Sequence, residues 1–217
     1  MSARDNILAR VRVALRRELD GGAGIETERA HLGAHPISPR PLVDGDLTTR
    51  FIDKAQLLSS TIGHASRLQQ VPAAVATYLR AHALPMHAVC WQALHMLNWV
   101  DQDMLVEARP ARASDLVGIT EVFCAIAETG TLMTLSGEHT PPAASLLPET
   151  HIAIVRVSQI VPSMEEAWHC LRYTYGEMPR AVNFISGPSR TSDIEQTLTL
   201  GAHGPYRVHV ILVSEED

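Results

Sequence analysis

Apolar positions along this chain recur with two periods, and the switches between them mark out its elements. Ile7, Leu8, Val11, Ala14 and Leu15 return at helical spacing, with Arg10, Arg12, Arg16 and Arg17 largely around the other side. Ser2 stands three residues before Asp5 as a capping signal, and Asp20-Gly21-Gly22 supplies the exit. This first helix is expected to pack on a core with a solvated basic face, or else to touch an anionic partner or membrane. Breakers crowd residues 21–43, with Gly21, Gly22, Gly24 and Gly33 followed by Pro36, Pro39 and Pro41. That stretch is expected to be an extended arm rather than a linker between two cores.

A helical period returns over 47–60 through Phe51, Ala55 and Leu58, and a strand is predicted near 64–68. Pro72 opens the next helix, because proline is favoured at a first helical position, and residues 86–91 read as a buried strand. Residues 117–128 and 131–136 read as two strands flanking a tight turn at Thr129-Gly130. A short helix over 141–147, a strand over 151–157 and a helix over 163–175 follow. Strands over 181–186 and 207–213 complete the chain, which has no internal repeat. Helices alternating with buried strands predict an α/β fold with a mostly parallel sheet flanked by helices. The expected organisation is an N-terminal helix and extended arm over 1–45 and one α/β domain over 46–217.

Composition narrows the function classes. The chain has 217 residues, 46% of them hydrophobic, enough to bury a core without disulfides or metal. A net charge of -6 argues against nucleic acid, whose phosphates need a basic surface, but leaves room for a local anion pocket. The three cysteines, Cys90, Cys124 and Cys170, are far apart and form no Cys-x-x-Cys pair. No cofactor is therefore expected in this chain, and buried reduced thiols suit a cytoplasmic location. Neither a signal peptide nor an apolar window long enough to span a membrane is present. Eleven histidines include no metal-binding pair of recognisable spacing, so no metal is expected.

Three polar clusters adjoin predicted strands. Glu128 precedes Thr129, Gly130 and Thr131, so its carboxylate is a candidate general base or nucleophile with turn amides beside it; an ion pair or a loop cap would also explain it. Ser136 and Gly137 open a second cluster that runs through His139 and Ser145 to His151. Serine–histidine chemistry there lacks a nucleophile elbow and a third partner, and a structural imidazole suits His151 equally. The third cluster holds Ser186, Gly187, Ser189, Arg190 and Thr191 at the end of a strand. Ser192 and Glu195 fit a capping box and Gly201 a helix exit, so a loop feeding a helix N-terminus is expected. Arg190 would add a clamp for carboxylate or phosphate, while capping alone would account for several of these residues.

These clusters resemble the lactate-utilisation protein C group, the LUD-domain family. The resemblance rests on residues 125–131, on 145–148 with His151, and on 186–191 with 193–195, Gly201 and His203-Gly204-Pro205; Ser2 to Arg4 with Ile7 and Leu8 adds to it. It implies a fold like ribose-5-phosphate isomerase, glucosamine-6-phosphate deaminase and CoA-transferases. It also implies a part in oxidising L-lactate to pyruvate beside partner proteins that carry iron–sulfur clusters. The resemblance itself assigns chemistry to no residue; the clusters supply Glu128 as the catalytic candidate, with Thr129, Gly130, Thr131, Ser136, Gly137, Ser186, Gly187, Ser189, Arg190, Thr191 and His203 around a small carboxylate or other anion. On this reading the chain is a non-redox subunit; a free-standing enzyme or sensor for a phosphorylated or acyl-CoA metabolite is the alternative.

Overall fold

Asp46 starts the first core helix by accepting hydrogen bonds from the Thr49 amide and hydroxyl, each at 2.7 Å. The computed structural model describes residues 2–14, 23–34, 44–191, 199–201 and 203–214. The chain divides into two units, Met1–Pro41 and Leu42–Asp217. The first holds α1 (Ala3–Ala14) and α2 (Ala23–Ala34). Ser2 and Asp5 cap α1 reciprocally, through Ser2 N–H to Asp5 at 2.9 Å and Asp5 N–H to the Ser2 hydroxyl at 3.3 Å.

The second unit runs through α3 (Leu47–Leu57), β1 (Thr61–Ala65), α4 (Val71–Ala81), β2 (His87–Cys90), β3 (Leu105–Ala108) and β4 (Val117–Glu121). It continues through β5 (Cys124–Ile126), β6 (Thr131–Leu135), α5 (Ala143–Leu146), β7 (Thr150–Arg156) and β8 (Ile160–Val161). Then come α6 (Met164–Thr174), β9 (Val182–Ile185), β10 (Arg190–Thr191), β11 (Thr199–Leu200) and β12 (Arg207–Val213). Six strands form a parallel sheet in the order β1-β12-β7-β4-β2-β3. The central β7 and β12 are almost continuously apolar because both of their faces are covered.

On one face, Val75 and Leu79 of α4 pack with Ile119, Ile152, Ile154 and Ile211. On the other lie α3 and a second sheet of order β8-β5-β6-β9, where Phe51, Ala55 and Leu132 meet Val155, Val210 and Leu212. Ala167 and Leu171 of α6 cover Cys124, Ile126 and Met133 on the far side of that second sheet. Each fully buried side chain of this size contributes roughly 1.5–3 kcal/mol. This is the expected α/β architecture, a mostly parallel sheet flanked by helices.

Several expectations need correction. The supposed extended arm contains α2, because Glu26, Glu28, Arg29, Ala30 and Leu32 are good helix formers and Gly24 and Gly33 fall in its end turns. Residues 117–128 do not form one strand. The chain leaves the parallel sheet at Val122 and joins the second sheet, where Phe123 N–H bonds Met133 O at 2.8 Å. The strand expected at 64–68 lies at Thr61–Ala65, and β3 is an additional edge strand. Arg190 leads into β10, which pairs antiparallel with β11, so Gly201 follows a strand rather than a helix. Residues 192–198, including the Ser192–Glu195 cap, lie outside the described residues. So does the predicted helix exit at 20–22.

Candidate functional site

Register brings the first and third polar clusters together. β6 pairs with β9 with Leu132 opposite Ile185, which sets Thr131 beside Ser186. Their hydroxyls lie 2.7 Å apart, and the Thr129 hydroxyl donates to Thr131 at 2.8 Å. The turn before β6 needs Gly130, whose φ is +69° and whose added Cβ would lie 2.4 Å from the Ala55 nitrogen. Gly187, with φ +81°, meets the Leu58 carbonyl in the same way, at 2.2 Å from an added Cβ. Both glycines therefore let the last turn of α3 lie against these loops.

The loop after β9 is tied down from two sides. Arg190 donates from Nη2 to the Ser59 hydroxyl, just before β1. Ser189 N–H bonds Pro205 O at 2.9 Å, Ser189 O accepts from Gly201 N–H at 3.0 Å, and the Ser189 hydroxyl accepts from His203 N–H at 3.4 Å. Thr129, Gly130, Thr131, Ser186, Gly187, Ser189, Arg190 and His203 thus gather where β1 and β12 begin. Thr191 pairs with Thr199 through the backbone of the β10–β11 ribbon.

The donors available there differ from those expected. Glu128 N–H is bound to Pro162 O at 3.0 Å and Gly130 N–H to Ile126 O at 2.9 Å, so turn closure uses those amides. Arg190 stands in β10, and residues 192–198, where the expected helix would begin, lie outside the described residues. Among the described residues, the hydroxyls and the Arg190 guanidinium are groups this cluster can offer an anion. Glu128 is half-buried beside them, and its carboxylate makes no ion pair with any described residue.

Ser136 and Gly137 do not join this cluster. They follow the opposite end of β6, about 17 Å from Thr131 at ~3.4 Å per residue. Ser136 clamps β6 to the approach of β9, donating N–H to Ala181 O at 3.0 Å and accepting Ala181 N–H on Oγ at 2.7 Å. Both residues line a cavity of about 440 Å³ together with Trp91, Glu121, Phe123 and Arg156. Trp91, Glu121 and Arg156 mark the carboxyl ends of β2, β4 and β7. From β2 the chain proceeds outward to β3, and from β4 it proceeds the other way to β7. Their adjacency is a topological switch point, where open α/β sheets hold ligands. Arg156 Nη1 donates to Glu121 at 2.8 Å, and both carry partial exposure, 27% and 19%. Gln159 braces the pair, accepting Arg156 N–H at 3.0 Å and donating to Val122 O at 3.1 Å. No linear motif announces these residues; they meet only through strand order.

The second cluster is structural. Ser145 donates to Pro142 O at 3.0 Å, and His151 shares a 2.8 Å hydrogen bond with Thr120, so the two form no dyad. Burial pulls the His151 imidazole down to about 4, and His209, stacked on Tyr78 at 3.9 Å, is pulled to about 4 by the same cause. Burial pushes the Cys90 and Cys124 thiols up to about 12. Cys90 belongs to the parallel sheet, whereas Cys124 and Cys170 belong to the second sheet and α6. An iron–sulfur cluster needs converging cysteine thiolates, and these three cysteines stand on separate elements. Among the described residues, no three His, Cys, Asp or Glu side chains form a metal-holding group, and no helix is long and apolar enough to cross a membrane.

Comparison with known proteins fits this arrangement. The family model of the LUD domain matches residues 63–213. Lactate utilization protein C of Bacillus subtilis is 42% identical over 102 residues, covering 46% of this chain and 42% of that protein. Lactate utilization protein C 1 of Bacillus mycoides is 40% identical over 129 residues, covering 56% and 53%. The chain thus spans about half the length of the curated relatives it matches. A crystal structure of a DUF162 family protein from Deinococcus radiodurans superposes with a TM-score of 0.57 at 25% identity, covering 80% of this chain and 99% of that one. This chain belongs to the LUD domain family.

Proposed function

We propose that this chain is a cytoplasmic component of an L-lactate utilisation system, binding a small carboxylate while iron–sulfur partner proteins carry the electrons that turn L-lactate into pyruvate. The observation that carries the reading is its similarity, at 40–42% identity, to proteins named for lactate utilisation. The reading includes a division of labour. Removing two electrons from a 2-hydroxy acid needs a cofactor as electron sink, and the cysteines of this chain are not placed to hold a cluster.

The Thr129–Ser186 cluster is the anion site on this reading. Arg190, steadied by Ser59, meets the carboxylate with a charge-assisted hydrogen bond. Ser186, at the end of the hydroxyl chain from Thr129 through Thr131, bonds a second ligand oxygen. Glu128 is the nearby carboxylate that takes up a proton if the bound acid loses one. His203 and Ser189 position the loop through their mutual hydrogen bond.

Affinity purification of the tagged chain from cells grown on L-lactate tests the assembly. The expected eluate contains partner proteins and shows iron–sulfur absorbance, whereas the chain purified alone is colourless. A stoichiometric visible chromophore on the isolated chain, or a colourless single-component eluate from lactate-grown cells, contradicts the reading.

A further inference from the structure

The switch-point cavity is too large for lactate and has the wrong charge for a simple anion. At about 440 Å³ it falls in the range of pockets that take a whole small organic ligand, whereas lactate has only six non-hydrogen atoms. Glu121 and Arg156 stand side by side in a pair that is neutral overall. A bound carboxylate or phosphate would be attracted by the guanidinium and repelled by the carboxylate next to it. A neutral ligand edge that both donates and accepts meets neither problem: Glu121 only accepts and Arg156 only donates.

Aromatic rings supply the second half of the recognition. Trp91, Phe123 and Tyr175 all line the cavity, with the Phe123 and Tyr175 centroids 6.1 Å apart and inclined at 55°. Tyr175 is 49% exposed, so part of its ring faces solvent beside Phe123. The Trp91 indole is fixed by its N–H to Pro141 O at 3.1 Å. The partly open Phe123 and Tyr175 rings favour a planar π-system over a branched aliphatic ligand.

We propose that this cavity is a second ligand site, taking a planar nitrogen heterocycle that presents a donor N–H beside a carbonyl or ring-nitrogen acceptor. The heterocycle lies against the Tyr175 and Phe123 rings and turns its donor–acceptor edge to Glu121 and Arg156. The site is independent of the proposed anion cluster, which lies at the opposite end of β6, so either can fail without the other.

Isothermal titration of the full chain with uridine and with adenosine tests the proposal, with benzoate as a planar anion lacking the donor edge. At least one nucleoside is expected to bind saturably and benzoate far more weakly. Glu121→Gln is expected to weaken that binding by about tenfold or more, the cost of a hydrogen bond to a charged group. Tyr175→Ala is expected to weaken it by roughly three- to tenfold, the value of an aromatic contact. Tyr173→Ala, at a 90% exposed ring outside the cavity, is expected to leave it unchanged. If Glu121→Gln does not fold, Tyr175→Ala decides, because its ring is half in solvent. No saturable binding by either nucleoside, equal binding of benzoate, or wild-type affinity in Tyr175→Ala would overturn the proposal.

Discussion

The hydroxyls of Thr131 and Ser186, 55 residues apart in the chain, lie 2.7 Å from each other where β6 and β9 end their pairing. That contact joins the turn after β5 to the loop carrying Arg190, and α3 holds both loops from outside. The proposed anion cluster therefore depends on two close backbone approaches as much as on its polar groups.

Gly130→Ala tests the first approach. Its φ of +69° disfavours any side chain, and the new Cβ would also press on α3 at 2.4 Å from the Ala55 nitrogen. Gly45 is the control, since its φ is +88° but nothing lies within 4 Å of an added Cβ. Gly45→Ala is expected to cost about 1–2 kcal/mol, the left-handed penalty alone, and Gly130→Ala clearly more, as read from urea midpoints. Equal losses would mean that α3 does not constrain the turn.

Arg190→Ala tests the cluster's charge. Sulfate, phosphate or L-lactate is expected to raise the melting temperature of the wild-type chain, and the variant is expected to lose that rise. The loss corresponds to about 1–3 kcal/mol for a charge-assisted hydrogen bond. Ser186→Ala should weaken the same response in part. An undiminished shift in Arg190→Ala would move the anion elsewhere.

Acid should act on the fold in two windows. Burial holds His151 and His209 at about 4, below the ordinary 6.5, so the unfolded chain binds protons that the folded chain does not. Their contribution is whole above pH 6.5 and falls as pH drops toward 4, by on the order of 3 kcal/mol each. Asp115 follows. Arg109 grips it through two bonds of 2.7 and 2.8 Å and holds its carboxyl at about 2, below the ordinary 3.8. That contribution is present above 3.8 and is lost as pH falls toward 2. Unfolding free energy measured from pH 8 to 4 should slope more gently in His151→Gln than in the wild type; an unchanged slope would show that this imidazole is not held neutral.

Much of the frame was legible in local pattern. The runs of β7 and β12, the Phe51–Ala55 spacing of α3 and the glycine turn before β6 are all signals within a few residues. What escaped was long-range or weakly patterned. The break at Val122 depends on which sheet each half joins, and β3 is a four-residue edge strand with little apolar signal. Ser136 and Thr131 both stand among the anion-site candidates, yet an extended strand carries them to opposite ends. Glu121 and Arg156 become partners only once β4 lies beside β7, and no spacing in the chain foretells that.

The central claim is that lactate oxidation requires this chain but is not carried out by it alone. The direct measurement is L-lactate-dependent reduction of an artificial electron acceptor by the purified chain, by the proposed iron–sulfur partners and by the reconstituted set, beside growth of a deletion strain on L-lactate. The account predicts activity only in the complete set, and growth restored only when the chain and its partners are all present. Robust lactate-to-dye electron transfer by the isolated chain would contradict it, as would normal growth of the deletion strain in the absence of any other lactate dehydrogenase.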